Sequence, residues 1–268
     1  MRCLEVGGYV SRAVICNRGA YLLEWSVSGK DIILPGDPDR PTWSGIAIMI
    51  PFANRVRDGE YEFEGIKYSL PRNKEGHAIH GLVLNEEWSV TSTSENSISL
   101  KHVLNHPGYP TELTSMVKYA LVEGGLDVEF IVKNTGLRGA PLVVGAHPYF
   151  IASNDWRINT QGKALMCETI NKIPTGKLIP FNLNIMGRRE FDDCFLINGD
   201  ITLESQHSAI KIIRQGMPYV QIFTGVPNAI AIEPMSGTPD AYHNGMGLTI
   251  IRPGEEKAFS FAIRVLRA

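Results

Sequence analysis

The chain has no long apolar run, no closely spaced cysteine pair and no block of like charge. Its longest apolar segment, around residues 141–152, contains His147 and is far shorter than a membrane-spanning helix. The first residues, Met-Arg-Cys-Leu-Glu-Val-Gly-Gly, lack the uninterrupted apolar stretch of a secretory signal. A soluble, cytoplasmic protein with no membrane partner is therefore expected. There are four cysteines: Cys3, Cys16, Cys167 and Cys194. None is in a C-x-x-C pair or has zinc-ligand spacing, so reduced, mostly buried thiols are expected. Net charge is only −2, and no Lys/Arg run is interleaved with aromatics, which argues against a nucleic-acid partner. Met235-Ser-Gly and Trp43-Ser-Gly are not nucleophile elbows, and Gly245-Met-Gly lacks the third glycine of a dinucleotide loop. There is no Walker loop and no H-E-x-x-H. Sustained helical faces with caps are missing as well.

What the chain does have is alternation. Leu126, Val128, Phe130 and Val132 alternate with Asp127, Glu129 and Lys133, the period of a half-buried strand. Glu64-Gly65 between Tyr61/Phe63 and Ile66/Tyr68 reads as a tight hairpin, and Glu123-Gly124-Gly125 as another turn. Further strands are expected over Val10–Cys16, Tyr21–Val27, Trp88–Thr93, Ile98–Leu104, Leu113–Val122, Ile201–Glu204, Ala209–Arg214, Tyr219–Thr224, Gly247–Ile251 and Ala258–Val265. The 26 glycines and 16 prolines are spread throughout rather than collected in a linker. Many short strands without intervening helices predict an all-β protein, a large antiparallel β-sandwich formed by residues 1–268 as one domain.

Polar residues recur on these strands. In Ala229-Ile-Ala-Ile-Glu-Pro, Glu233 shares a face with Ala229 and Ala231, and the isoleucines take the other. It is either a strand-end glutamate in water or a carboxylate beneath a ligand, with its pKa raised by partial burial to suit a base. His147 shares a face with Val143, Gly145 and Tyr149, and Gly145 leaves space beside it. It is either a hydrogen-bonded core histidine or an acid–base group. Asn54-Arg55-Val56-Arg57 is either a solvated basic edge or the source of a guanidinium that donates to hydroxyls. His77/His80 and His102/His106 have metal-like spacing, but neither pair lies on a helix and no third ligand is evident, so no metal is expected. Groups of this kind, without a nucleophile or a phosphate loop, suit proton transfer on a neutral polar substrate.

Taken together, these segments resemble the aldose 1-epimerase (galactose mutarotase) family, from about Ile48 to Val265. The resemblance is carried by Pro51-Phe-Ala-Asn-Arg, by Ala78-Ile-His-Gly 25 residues beyond Arg55, by His147-Pro-Tyr-Phe, by Asp192-Asp-Cys-Phe, and by Glu233-Pro with its tail Pro239-Asp-Ala-Tyr. It implies the family's β-sandwich, an open sugar-binding cleft and no cofactor. It further implies Glu233 as general base, His147 as general acid, and Arg55, His80, Asp192 and Asn54 as substrate-binding residues. Pro148 and Asp193 depart from the classical galactose-specific pattern, and the chain is shorter. The resemblance is thus to a divergent branch that includes hexose-6-phosphate 1-epimerases, for which Arg57, Arg72 or Lys74 would meet a phosphate. A sugar-binding protein of the same fold without turnover is the remaining alternative. The oligomeric state is not set by these features.

Overall fold

The computed structural model describes residues 1–187 and 189–268. Its largest element is an eleven-stranded antiparallel sheet. In spatial order its main path runs Cys3–Gly8, Ser11–Cys16, Tyr21–Val27, Ile46–Met49, Gly145–Ile151, Ala229–Met235, Tyr219–Phe223, Asp192–Ile197, Ala164–Ile170 and Ile173–Phe181. A nine-stranded sheet lies against it, centred on Leu113–Val122, Gly125–Asn134 and Glu256–Arg267. Among the described residues the regular helix is confined to Ala241–Asn244 and a single 3-10 turn at Arg57–Gly59.

Alternation builds the core between the sheets. Leu126, Val128, Phe130 and Val132 are buried, whereas Glu129 and Lys133 are exposed. Phe130 meets Phe261 across the neighbouring strand. From the larger sheet come Ala13, Ile15, Trp25, Ile48, Ile230 and Ile232. Tyr119 spans the layers, donating its hydroxyl proton to the Ala20 carbonyl at 2.7 Å. The expected hairpins form at Glu64–Gly65, where both residues have positive φ, and at Glu123–Gly124. Strand ends move by a few residues: Val10 turns with φ 57°, and the last strand runs over Glu256–Arg267.

One expectation is overturned. Cys3 and Cys16 are joined in a disulfide, and only Cys167 and Cys194 are free, both buried. The cause is register. The first two strands form an antiparallel pair in which Cys3 lies directly opposite Cys16. A thirteen-residue separation carries no motif, yet strand pairing makes the two sulfurs neighbours. The reduced thiols that supported a cytoplasmic setting are thus not all present.

The centre of the larger sheet is buried on both faces. Every residue of Ala229–Met235 is buried, as are all but the last of Gly145–Ile151. Its inner face, with Ala146, Phe150, Ile230 and Ile232, packs on the core. The opposite face forms a cleft floor.

Candidate active site

Glu233 and His147 lie on adjacent strands of this floor. The pairing between them is unusual. Gly145 is in register with Met235 and Tyr149 with Ala231, with no ladder pairs between these points. Pro148 and Pro234 fall in that interval, and each lacks an N–H to donate. Prolines are rare in central strands because they break the ladder. Here they flank the residues whose side chains face each other, with His147 Nε2 3.3 Å from Glu233 Oε1.

Both groups are buried, and burial moves them in opposite directions. Glu233 is 1% exposed, and its carboxyl is raised well above the ordinary range, first by burial and then by the negative charge of Asp192. His147 is lowered well below the ordinary imidazole range by burial and by nearby His80. The charged form of each is disfavoured, which brings the proton affinities of the two partners together. His147 stacks on Tyr149 with centroids 4.8 Å apart, which holds the ring plane.

Gly145 does not leave space for a ligand, contrary to expectation. A Cβ there would come 2.8 Å from Met49 Cε and 2.9 Å from Ala53 Cβ. Gly145 is small because methionines pack over it on the same face as His147. This supports the histidine from below rather than opening the cleft.

Arg55 and His80 reach the cleft from outside the sheet. A two-stranded ribbon pairs Arg55 with Ile79 and Val56 with Ala78. Asn54 and His80 both have positive φ, 55° and 61°, and the His80 N–H donates to the Asn54 carbonyl at 2.9 Å. Such conformations are costly for non-glycine residues and persist where surroundings over-determine them. The next residue, Gly81, has φ 82°, and a Cβ would lie 2.3 Å from the Ile50 carbonyl oxygen. Asp240, in the tail beyond Glu233, clamps the ribbon. Its N–H donates to the Arg55 carbonyl, and its carboxylate accepts from the Arg57 N–H. The glutamate segment and the arginine segment are thus tied by backbone, far apart as they are in sequence.

The guanidinium of Arg55 is buried. It donates from Nη1 to Asn54 Oδ1 and from Nε and Nη2 to Glu75 Oε2, at 3.0 and 2.8 Å. His80 sits edge-on to His147, ring centroids 5.1 Å apart, with Nδ1 3.0 Å from Met49 Sδ. Burial, then the charge of Arg55, pushes His80 down to about 3, so it is neutral at pH 7. Asp192 projects from its strand into the cleft, and Gln221 Nε2 donates to its Oδ1 at 2.8 Å. Asp193 points the other way, half-buried, its carboxyl raised mainly by burial.

All six residues singled out in the sequence (Asn54, Arg55, His80, His147, Asp192 and Glu233) therefore line one cleft of about 490 Å³. That volume is in the range of small-molecule sites. Glu75, Lys172, Gln221 and the aromatic wall of Trp43, Tyr149 and Phe223 were not anticipated. Gln221 had a legible signal, a polar residue in an otherwise apolar strand. It lies in register with both Glu233 and Cys194. Two buried oxygens here, Glu233 Oε2 and Gln221 Oε1, have no hydrogen-bond partner in the protein.

The candidate metal pairs separate. His77 accepts from the Asp58 N–H, His102 contacts the Glu87 carbonyl, and His106 accepts from the Gly108 N–H. Among the described residues no three His, Cys, Asp or Glu side chains converge on a metal position. Of the three cations considered for a phosphate, Lys74 lines the cleft, whereas Arg72 pairs with Glu60 outside it and Arg57 is exposed.

A sequence model of the family described as aldose 1-epimerase matches residues 4–264. The chain belongs to the aldose 1-epimerase family. It is 28% identical to YihR, an uncharacterized protein of Escherichia coli K12, over 97% of this chain and 91% of that protein. It is 27% identical to the galactose mutarotase of Rattus norvegicus over 50% of this chain and 42% of the rat protein. The crystal structure of the GalM/aldose epimerase homologue from C. elegans superposes with a TM-score of 0.88 at 16% identity, over 100% of this chain and 99% of the other. That structural likeness establishes the shared fold.

Proposed function

We propose that this member of the family interconverts the α- and β-anomers of an aldose by acid–base ring opening and closure. The observation that carries the reading is the Glu233–His147 pair, buried at the cleft floor and 3.3 Å apart, with proton affinities moved toward one another.

Ring opening removes the proton from the C1 hydroxyl and delivers one to the ring oxygen. The C1–O5 bond breaks, and C1 becomes the aldehyde. After rotation about C1–C2 the two transfers reverse, and the ring closes on the other face. Glu233 takes the first proton as a carboxylate and His147 supplies the second as an imidazolium. Each must return to its starting state in the same turnover. Groups of matched proton affinity do this with little cost in either direction. Arg55 and His80 donate toward the ring oxygen and hydroxyls, and Asp192 accepts from hydroxyls. Trp43 and Phe223, edge to face at 6.3 Å, offer an apolar wall for the sugar's C–H surface.

Magnetisation exchange between anomers by NMR, with polarimetry of freshly dissolved α-aldoses, tests this directly. A rate above the spontaneous one is expected for at least one sugar in a panel of free aldoses. Background rates throughout would favour a binding protein of this fold. Lys74 at the cleft rim is the observation that keeps hexose 6-phosphates in the panel.

A further inference from the structure

At the rim of the cleft a lysine is held between two carboxylates. Lys172 Nζ lies 3.3 Å from Glu75 Oε1 and 3.3 Å from Asp192 Oδ2. The remaining oxygens are already engaged. Glu75 Oε2 accepts twice from Arg55, and Asp192 Oδ1 accepts from Gln221. Lys172 therefore closes a continuous polar arc, Arg55–Glu75–Lys172–Asp192–Gln221, that joins an outer loop to the floor of the sheet.

The backbone under Lys172 is expensive. Ile170 pairs with Ile173, leaving Asn171 and Lys172 as a two-residue hairpin loop with φ values of 49° and 66°. Such a primed turn favours Asn followed by Gly, because both central residues need positive φ. Asparagine is present, but lysine occupies the glycine position. Non-glycine residues in that conformation cost about 1 kcal/mol or more and recur at functional sites. An ordinary turn would be better served by glycine. What glycine cannot supply is an ammonium at the cleft.

We propose that Lys172 is a specificity-determining residue, and that with Asp192 it forms a two-sided reader of one neutral sugar hydroxyl away from the anomeric carbon. This rests on the epimerase reading of the same cleft. The donor inventory gives the reason. An ammonium only donates and a carboxylate only accepts, whereas a hydroxyl does both. A sugar hydroxyl beside this pair gives its proton to Asp192 Oδ2 and accepts one from Lys172. A deoxy position satisfies neither, and an anionic substituent there meets the carboxylates of Asp192 and Glu75. The Nζ–O separations of 3.3 Å exceed the usual 2.7–2.9 Å of charge-assisted hydrogen bonds, so the bridge can part to admit an oxygen. The substrate class is then a neutral, fully hydroxylated aldose.

The test compares the wild type with Lys172→Met and Lys172→Gly on a parent aldose, its monodeoxy series and its uronic acid. Turnover is measured by NMR anomer exchange and binding by saturation-transfer NMR. In the wild type one deoxy position should lower kcat/KM by about 10-fold or more. Both variants should lose a comparable factor on the parent and show little further loss at that same position, the signature of coupled partners. Lys172→Gly should melt at or above the wild-type temperature, since it relieves the turn, which separates recognition from folding. An unchanged deoxy penalty in both variants overturns the proposal. So does tighter wild-type binding of the uronic acid that is lost in Lys172→Met. If the wild type binds sugars without turnover, the epimerase reading fails alone, and the same comparison of binding constants decides on Lys172. If it binds no member of the series, both fail.

Discussion

The pair at the cleft floor places opposite demands on stability and function. Glu233 has a folded-state proton affinity above its unfolded one, so its contribution to stability is present at low pH and lost as pH rises through the folded value. Near neutrality it is an unfavourable buried acid retained for its chemistry. Glu233→Gln is therefore expected to lower kcat by about 10²-fold or more without lowering the melting temperature, and His147→Asn to lower kcat similarly. A near-wild-type kcat for either removes that residue from the mechanism. His80 has the reverse sign. Its folded value of about 3 lies below that of an unfolded histidine near 6.5, so its contribution is intact above pH 6.5 and is lost as pH falls toward 3. One such group changes stability by at most about 1.4 kcal/mol per pH unit. Urea midpoints at pH 7, 5 and 4 should thus fall more steeply for the wild type than for His80→Gln; parallel declines would show that His80 is not buried neutral. The adjacent aspartates separate by strand geometry. Asp192→Asn weakens a charge-assisted contact worth about 1.5–3 kcal/mol, so kcat/KM should drop roughly 10–150-fold. Asp193→Asn, on the opposite face, should leave it nearly unchanged. Kinetics showing the larger loss at Asp193 would mean the facing is wrong.

At the level of elements, the site depends on a short ribbon with little stability of its own. Two residue pairs hold Arg55 and His80 in place, and Asp240 and the close packing of Gly81 on Ile50 supply the rest. Gly81→Ala must move that contact as well as leave a favourable backbone region. A loss of about 2–3 kcal/mol in stability is expected from chemical denaturation. Activity per folded molecule should also fall, because the ribbon carries two binding residues. Full activity in a stable Gly81→Ala protein would show that the ribbon tolerates displacement. The sequence motif Ala78-Ile-His-Gly made the histidine visible. The glycine's purpose became visible only with its neighbour from residue 50.

For the whole molecule, one apolar cluster runs through both sheets, from Ala13 and Trp25 to Phe130 and Ile263. We therefore expect residues 1–268 to unfold as one unit, with calorimetric and van't Hoff enthalpies in agreement. Two resolved transitions would divide the chain. The cleft lies on the far side of the larger sheet from this cluster. Truncating Phe130, which is fully buried, should cost about 3–5 kcal/mol while leaving KM close to wild type.

The sequence alone determined the all-β class, most strands and the six cleft residues, because alternation and short motifs are local and survive distant divergence. Leu113–Val122 was legible to the residue from its period. Tertiary structure decided what depends on pairing between distant segments. Register joined Cys3 to Cys16, which spacing alone does not encode. Burial on both faces of the central strands turned Glu233 from a plausible surface glutamate into a desolvated acid. Gly145 proved to be a packing site rather than an opening. Lys172, in a two-residue turn with no motif around it, acquired meaning only when folding brought it within reach of Glu75 and Asp192. Local patterns report which face a residue takes, but only the assembled sheet and its loops decide what that face meets.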